Sequence, residues 1–475
     1  MSLTLIVIVF ACFFWPWPST IVALSDHACG YDLHPSHTII RDVCVIGGGS
    51  SGTYSAISLR DKGKSIVLIE HKNRLGGHTE TYTDPVTGGK IDIGVVVWHN
   101  LHIVQKYFAR FDIPLVLTST SQVVSEFVDF TTGKTVTGYA PPNQTAMAAA
   151  LQVYAAQLAK YPEIDDGFYL PYPLEPDSDL LLPLHSFVKK YQLDAIVPII
   201  SQYEQGYGNL LEQLTLYVMA NFALDTLADI QNGFLTTKDY DNSQLYEKAS
   251  AELGADALIS SHVVCMDRNG DGVKIWVQTP HELTLIEAKK LIVAIPPKLD
   301  NLAGFDLDET ERRLFSQFHN SYYYTGIIRD SGIPDNVTIT NVGVHTPYNL
   351  PILPGLYGTY PTNIPGLVGI KYGSPIPLTS AEVKRNIIAD INRLKSAGTL
   401  NTTIPEFAVF SDHVPFVLTV PQKAIENGFY KQLYGLQGHR HTFYTGAAFR
   451  TQDSTLIWQF TEALLPIIMN SLVKD

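Results

Sequence analysis

Apolar residues fall in a few short blocks along this chain, and their spacing predicts an α/β protein. Val43-Cys-Val-Ile46 is a run of four suited to a strand buried on both faces. It enters Gly47-Gly-Gly49-Ser-Ser51-Gly52, after which Thr53 to Arg60 reads as a helix. A turn at Asp61-Lys-Gly63-Lys leads to a second run, Ser65-Ile-Val-Leu-Ile69, which ends on Glu70. Ala288 to Pro297 carries another apolar strand, whereas Ala257 to Val277 alternates and turns at Asn269-Gly-Asp-Gly272, a hairpin signal. Gln144 to Leu158 is rich in helix formers, and Tyr322 to Ile328 reads as a strand. Pro-rich stretches at Tyr169 to Pro173 and Pro351 to Pro377 mark loops.

The first block has the chemistry of a dinucleotide site. Gly47 permits a tight turn, Gly49 lets the backbone approach a pyrophosphate, and Gly52 lets the helix pack on the strand. The helix N-terminus, which follows Ser51 and Gly52, presents unpaired N–H groups and a positive dipole end to phosphates. Glu70 stands 18 residues past Gly52, where a carboxylate accepts hydrogen bonds from an adenosine ribose. A carboxylate there disfavours a 2′-phosphate, so FAD or NAD fits better than NADP.

Length and charge narrow the class. At 475 residues two domains are expected, and a net charge of −13 with no basic cluster argues against nucleic acid and anionic membranes. Leu5 to Trp15 is apolar but shorter than the ~20 residues a bilayer needs, and Ala23-Leu24-Ser25 follows with small residues. Residues 1–25 are therefore expected to be a signal peptide, a retained anchor being the rival, and the mature protein to be secreted and free of the membrane. Sequons at Asn143, Asn336 and Asn401 are candidate N-glycosylation sites. Removing the leader deletes Cys12 and leaves Cys29, Cys44 and Cys265, an odd number. Cys44 is expected in the core, with no disulfide framework and no metal site.

Past Glu70 the chain continues His71-Lys-Asn-Arg74-Leu-Gly76-Gly77-His78, and here it resembles the flavin-containing amine oxidoreductase superfamily. Asp92-Ile-Gly94, Ala294-Ile-Pro-Pro297 and Thr442-Phe-Tyr-Thr-Gly446 are similar to further segments of that superfamily, in the same order. Within it, Gly63 to Asn100 resembles the β-cyclopiazonate dehydrogenase-like group of fungal flavoproteins. The resemblance implies FAD, with Arg74 and the Gly76-Gly77 backbone at the phosphates and ribityl chain, Val263 at the adenine and Gly446 near the flavin pyrimidine. It also implies a discontinuous Rossmann-like FAD-binding domain from 40–110, 235–305 and 425–475. Residues 111–234 and 306–424 would form an α+β substrate domain.

That resemblance implies an FAD-dependent dehydrogenase or oxidase, removing a hydride from a small apolar or aromatic, nitrogen-containing metabolite, with oxygen a candidate electron acceptor. An isomerase of an unsaturated lipid and a secreted flavin-binding protein without turnover are the alternatives, and a nicotinamide enzyme is the weakest reading. The lysine that amine oxidases place against flavin N5 falls near Thr325, and their flavin-face aromatic near Ser454 or Thr455, so simple amine oxidation is not implied. His78 and His99 are candidates for a base, a flavin tether or a structural hydrogen bond, and adjacent Asp412 and His413 carry little weight as an acid–base pair.

Overall fold

A computed structural model describes residue 29 and residues 33–118, 123–175 and 177–473; the expected leader lies outside them. The apolar runs form the middle of a seven-stranded sheet. His37–Ile46 pairs in parallel with Leu283–Val293 on one side and Ile66–Ile69 on the other, and Ala257–Leu258 extends the sheet past Ile66–Ile69. Thr442–Tyr444 runs parallel to the end of Leu283–Val293, whose beginning pairs antiparallel with the hairpin of His262–Asp267 and Val273–Gln278. The first strand starts six residues before its apolar run. Its leading half has a partner on one side only and stays half-exposed, so polar residues are tolerated there.

The helix Ser50–Asp61 lies between this sheet and the final helix, Ser454–Ser471. Trp458 stacks on Trp98 at 4.9 Å and on Tyr54 at 5.7 Å, and meets Tyr107 edge-on at 4.9 Å. Each such pair contributes about 0.5–1.5 kcal/mol beyond its buried area. Together they join the first helix, the last helix and the segment that follows Gly94.

A second sheet has eight strands, in the order Glu406–Asp412, His319–Arg329, Leu367–Ser374, Gly355–Pro361, Val337–Asn341, Val124–Asp129 and Lys134–Thr135, with Phe416–Thr419 also on His319–Arg329. Alternation assigns its two faces. Tyr324 and Ile328 point outward onto the helix Ser380–Ser396, whose Val383, Ile387, Ile391 and Leu394 form an apolar stripe at helical spacing. Ser321, Tyr323, Thr325 and Ile327 share the other face, where Ser321 donates to the Gly206 carbonyl and Ile327 packs with Ile91 and Ile93.

Two cysteine expectations part here. Cys44 is fully buried in the core, as expected. Against expectation, Cys29 and Cys265 form a disulfide across 236 residues of chain. Spacing along the sequence carries no information at that separation; the hairpin strand His262–Asp267 brings Cys265 to the N-terminal segment only after folding.

Candidate active site

The glycine-rich turn is a cradle built by close backbone approach. A Cβ on Gly52 would lie 1.7 Å from the Gly47 carbonyl oxygen, and a Cβ on Gly77 would lie 3.0 Å from the Cα of Gly49. Only glycines allow these segments to meet, and between them sits the N-terminus of Ser50–Asp61. Gly76 packs beneath the Tyr246 ring, and Gly446 lies against the Ser51 hydroxyl. The buried hydroxyls of Ser50, Thr79 and Tyr246 have no hydrogen-bond partner among the described residues, and that of Tyr246 faces Ser50, Thr79 and Ser454. Unpaired donors beside a helix N-terminus suit a pyrophosphate.

Glu70 closes the other end. One of its oxygens accepts the Gly48 N–H at 2.7 Å; the other accepts the Lys72 N–H at 2.7 Å and faces His71 Nδ1 at 2.9 Å. Burial opposes its ionisation, but hydrogen bonds from His71, Lys72 and Gly48 outweigh it and hold the carboxyl below its ordinary range. The oxygen that accepts from Gly48 has that one partner and keeps a second lone pair for a ribose hydroxyl. Val263 is the second residue of the strand His262–Asp267, two past Ser261, whose N–H donates to the Glu70 carbonyl. The residues present therefore fit FAD: Gly48 to Ser51, Thr79 and Tyr246 would hold its phosphates, and Glu70 its ribose.

Arg74 departs from its expected role. Its Nη1 donates to the carbonyls of Leu75 and Thr79, and its Nη2 to that of Gly77 and to the Glu80 carboxylate. The cation is spent bracing the loop that carries Gly76 and Gly77 rather than reaching a phosphate.

Beyond His78 the inner face of the eight-stranded sheet forms an aromatic chamber. The His413 ring stacks on His78 with centroids 4.5 Å apart and planes 9° apart. Phe416 packs on Tyr323 at 4.9 Å and lies 6.0 Å from His78. Tyr357 accepts the Gly206 N–H at 2.9 Å, and Gln205 donates to the Tyr360 hydroxyl at 3.0 Å. Burial, reinforced by Lys72, pushes His78 down to about 4, and burial also lowers His413. Both imidazoles are therefore neutral near pH 7. Asp412 and His413 do not form a pair: Asp412 meets Ser380, while the His413 N–H donates to the Tyr323 carbonyl and its ring enters the chamber.

The remaining candidates divide. His99 is buried, with Nδ1 2.6 Å from Asp229 and Nε2 3.6 Å from Asp453, which caps the last helix through the Leu456 N–H. Burial opposes its protonation, and the carboxylates of Asp453 and Asp229 outweigh that and raise its pKa. It ties three segments together as a hydrogen-bonded structural histidine. Thr325 stands mid-strand with its hydroxyl buried and unpaired among the described residues; Ser454 opens the last helix, and Thr455 meets the His99 N–H at 3.4 Å. Thr79, Tyr246, Asp229 and Lys371 stand in no motif along the chain and come to the site only through folding. Lys371 lies opposite Thr325 in the sheet register, on a strand 46 residues away.

Known proteins match this arrangement. The family model described as flavin containing amine oxidoreductase matches residues 51–329. FAD-dependent oxidoreductase oblC of Cochliobolus heterostrophus is 40% identical over 93% of this chain and 94% of its own length. Beta-cyclopiazonate dehydrogenase of Aspergillus flavus is 34% identical over 95% and 98%. Among solved structures, the CLA-producing fatty acid isomerase from P. acnes superposes with a TM-score of 0.74 at 18% identity, covering 90% of this chain and 98% of its own. Putrescine oxidase bound to putrescine gives 0.64 at 17%, covering 91% and 100%. The glycine cradle, the acid at its end and these relatives agree: the chain belongs to the flavin-containing amine oxidoreductase family and is an FAD-dependent oxidoreductase.

Proposed function

We propose that this enzyme removes a hydride from a small apolar or aromatic, nitrogen-containing metabolite, and passes the electrons to oxygen. The observation that carries the reading is the chamber of Tyr323, Tyr357, Tyr360 and Phe416 beside the stacked His78 and His413. Rings of this kind bury a flat substrate, exclude water and orient the reacting carbon. FAD, when bound, supplies the hydride acceptor. The neutral His78 and His413 present acceptor nitrogens for a proton that leaves with the hydride, and His413 Nε2 has no hydrogen-bond partner among the described residues.

The test is anaerobic addition of candidate aromatic metabolites to the flavin-loaded protein, followed by air. Bleaching of the flavin that reverses on aeration supports oxidation. An unsaturated lipid that is converted while the flavin ends oxidised would replace oxidation with isomerisation, and bound flavin that no candidate bleaches would favour a protein without turnover.

The same proposal places the protein in the secretory pathway. The Cys29–Cys265 disulfide suits an oxidising compartment, and Asn143, Asn336 and Asn401 are all exposed. Among the described residues no helix is long and apolar enough to cross a membrane. A loss of mass on endoglycosidase treatment of the secreted protein, with the N-terminus found near residue 26, is the expected result; an intact N-terminus would return the anchor reading.

A further inference from the structure

Lys371 is the unexplained charge of the chamber. It sits on Leu367–Ser374, directly across from Thr325, so both side chains leave the sheet on its inner face. Tyr360 lies on the same face, opposite Gly369, and the Lys371 ammonium stands 5.3 Å from the centroid of its ring. No carboxylate among the described residues pairs with that ammonium. Lys371 is half-buried, and an ammonium drawn into the fold is normally matched by an acid, for which a single aromatic face is a weak substitute.

A second observation points to a ligand rather than to a packing accident. Thr325 is 1% exposed, yet its hydroxyl has no partner; Gln205 Oε1 and His413 Nε2, also buried, are likewise unpaired among the described residues. Buried polar atoms are rarely left unmet unless something else meets them. The pattern has a sign. A hydroxyl and an ammonium side by side donate to an oxygen anion, whereas an ammonium substrate would find a like charge and no carboxylate.

We propose that Lys371, with the Thr325 hydroxyl, anchors an acidic oxygen of the substrate, a carboxylate or an ionised enol, while the tyrosines and Phe416 enclose its apolar body. This rests on the chamber being the substrate site. Burial lowers the Lys371 pKa, and a bound anion offsets that by restoring a partner to the charge. Burial also raises the Tyr357 and Tyr360 phenols, which therefore remain hydrogen-bond donors and add no competing negative charge.

The experiment is calorimetric titration of the flavin-loaded protein with 4-phenylbutyrate and with its neutral amide. The acid is expected to bind about tenfold more tightly or better, the scale of one hydrogen bond to a charged group. Lys371→Met should abolish that preference without loss of flavin, and Lys371→Arg should retain most of it. Thr325→Val, a gentler change should Lys371→Met not fold, should reduce the preference severalfold. Equal binding of the two probes, binding of neither, or a preference that survives both Lys371→Met and Thr325→Val would overturn the anchor. So would a Lys371→Met protein whose flavin potential moves while its preference stays. Preference for the acid with no metabolite ever bleaching the flavin would instead keep the anchor and remove the oxidative reading.

Discussion

Gly52 shows how much a single position controls. The Gly47 carbonyl occupies the space a Cβ would need, so Gly52→Ala must push the first helix off its strand and open the cradle between Gly49 and Gly77. We expect Gly52→Ala to purify with little or no flavin, read as the ratio of flavin to protein absorbance; full flavin content would show that the cradle is not where the phosphates sit. Glu204 makes a different argument. It is 2% exposed, its Oε1 accepts from Asn221 at 3.0 Å, and its Oε2 is unpaired among the described residues. Burial pushes its carboxyl up from an ordinary 4.5 to about 8. A carboxyl raised on folding stabilises least where it must ionise. Stability should therefore fall as pH rises from about 4.5 to about 8, by at most roughly 1.4 kcal/mol per unit, and then level off. Thermal melts across that window should show a shallower fall for Glu204→Gln than for the parent; parallel curves would mean the carboxyl is solvated.

Elements are joined by one buried ion cluster. Arg268, in the turn after His262–Asp267, binds both oxygens of Glu311 at 2.8 Å and reaches Asp306 at 2.6 Å; Tyr444 donates to Glu311 at 2.6 Å. Glu311 also closes a capping box with Asp308 at the start of Glu309–Phe315. The hairpin, that helix and the Thr442–Tyr444 strand thus share one network. Removing one partner of a buried pair leaves the other charge stranded, at a cost of about 3–5 kcal/mol. Glu311→Gln should lower the denaturant midpoint accordingly while leaving the anion preference of the chamber unchanged in whatever protein remains folded. A loss under about 1 kcal/mol would class the pair with solvent-screened surface bridges.

At the scale of the whole molecule the Cys29–Cys265 bond closes a loop of 236 residues, which includes the cradle, residues 111–234 and much of the first sheet. Removing a native disulfide typically costs about 2–5 kcal/mol, and the chain-entropy account sets the long-loop end near 5. Cys29→Ser should melt several degrees lower than the parent, and a reductant should lower the parent to the same temperature while leaving the variant unmoved. Equal melting of the two proteins would show that the N-terminal segment is tied down by other contacts. The loop after Glu70 brings His78 against His413 and Phe416 beside the eight-stranded sheet, so the active site depends on both sheets rather than on either alone.

The nucleotide half of the site could be read along the chain because its chemistry is local. Strand, glycine turn, helix, second strand and acid follow one another from Val43 to Glu70, and turn geometry and strand burial leave few other residues possible there. The aromatic second domain was legible as composition and as the Tyr322 to Ile328 run, without any indication of which rings would meet. Arg74 and the cysteines show the limit: an arginine after the acid can face phosphate or its own loop, and an odd cysteine count does not say which two lie close. Register decided the rest. Thr325 faces Lys371 because strands distant in sequence pair at one offset and not another, and a shift of one residue would turn either side chain to the opposite face of the sheet; His78 meets His413 only because the fold brings a turn and a strand end together.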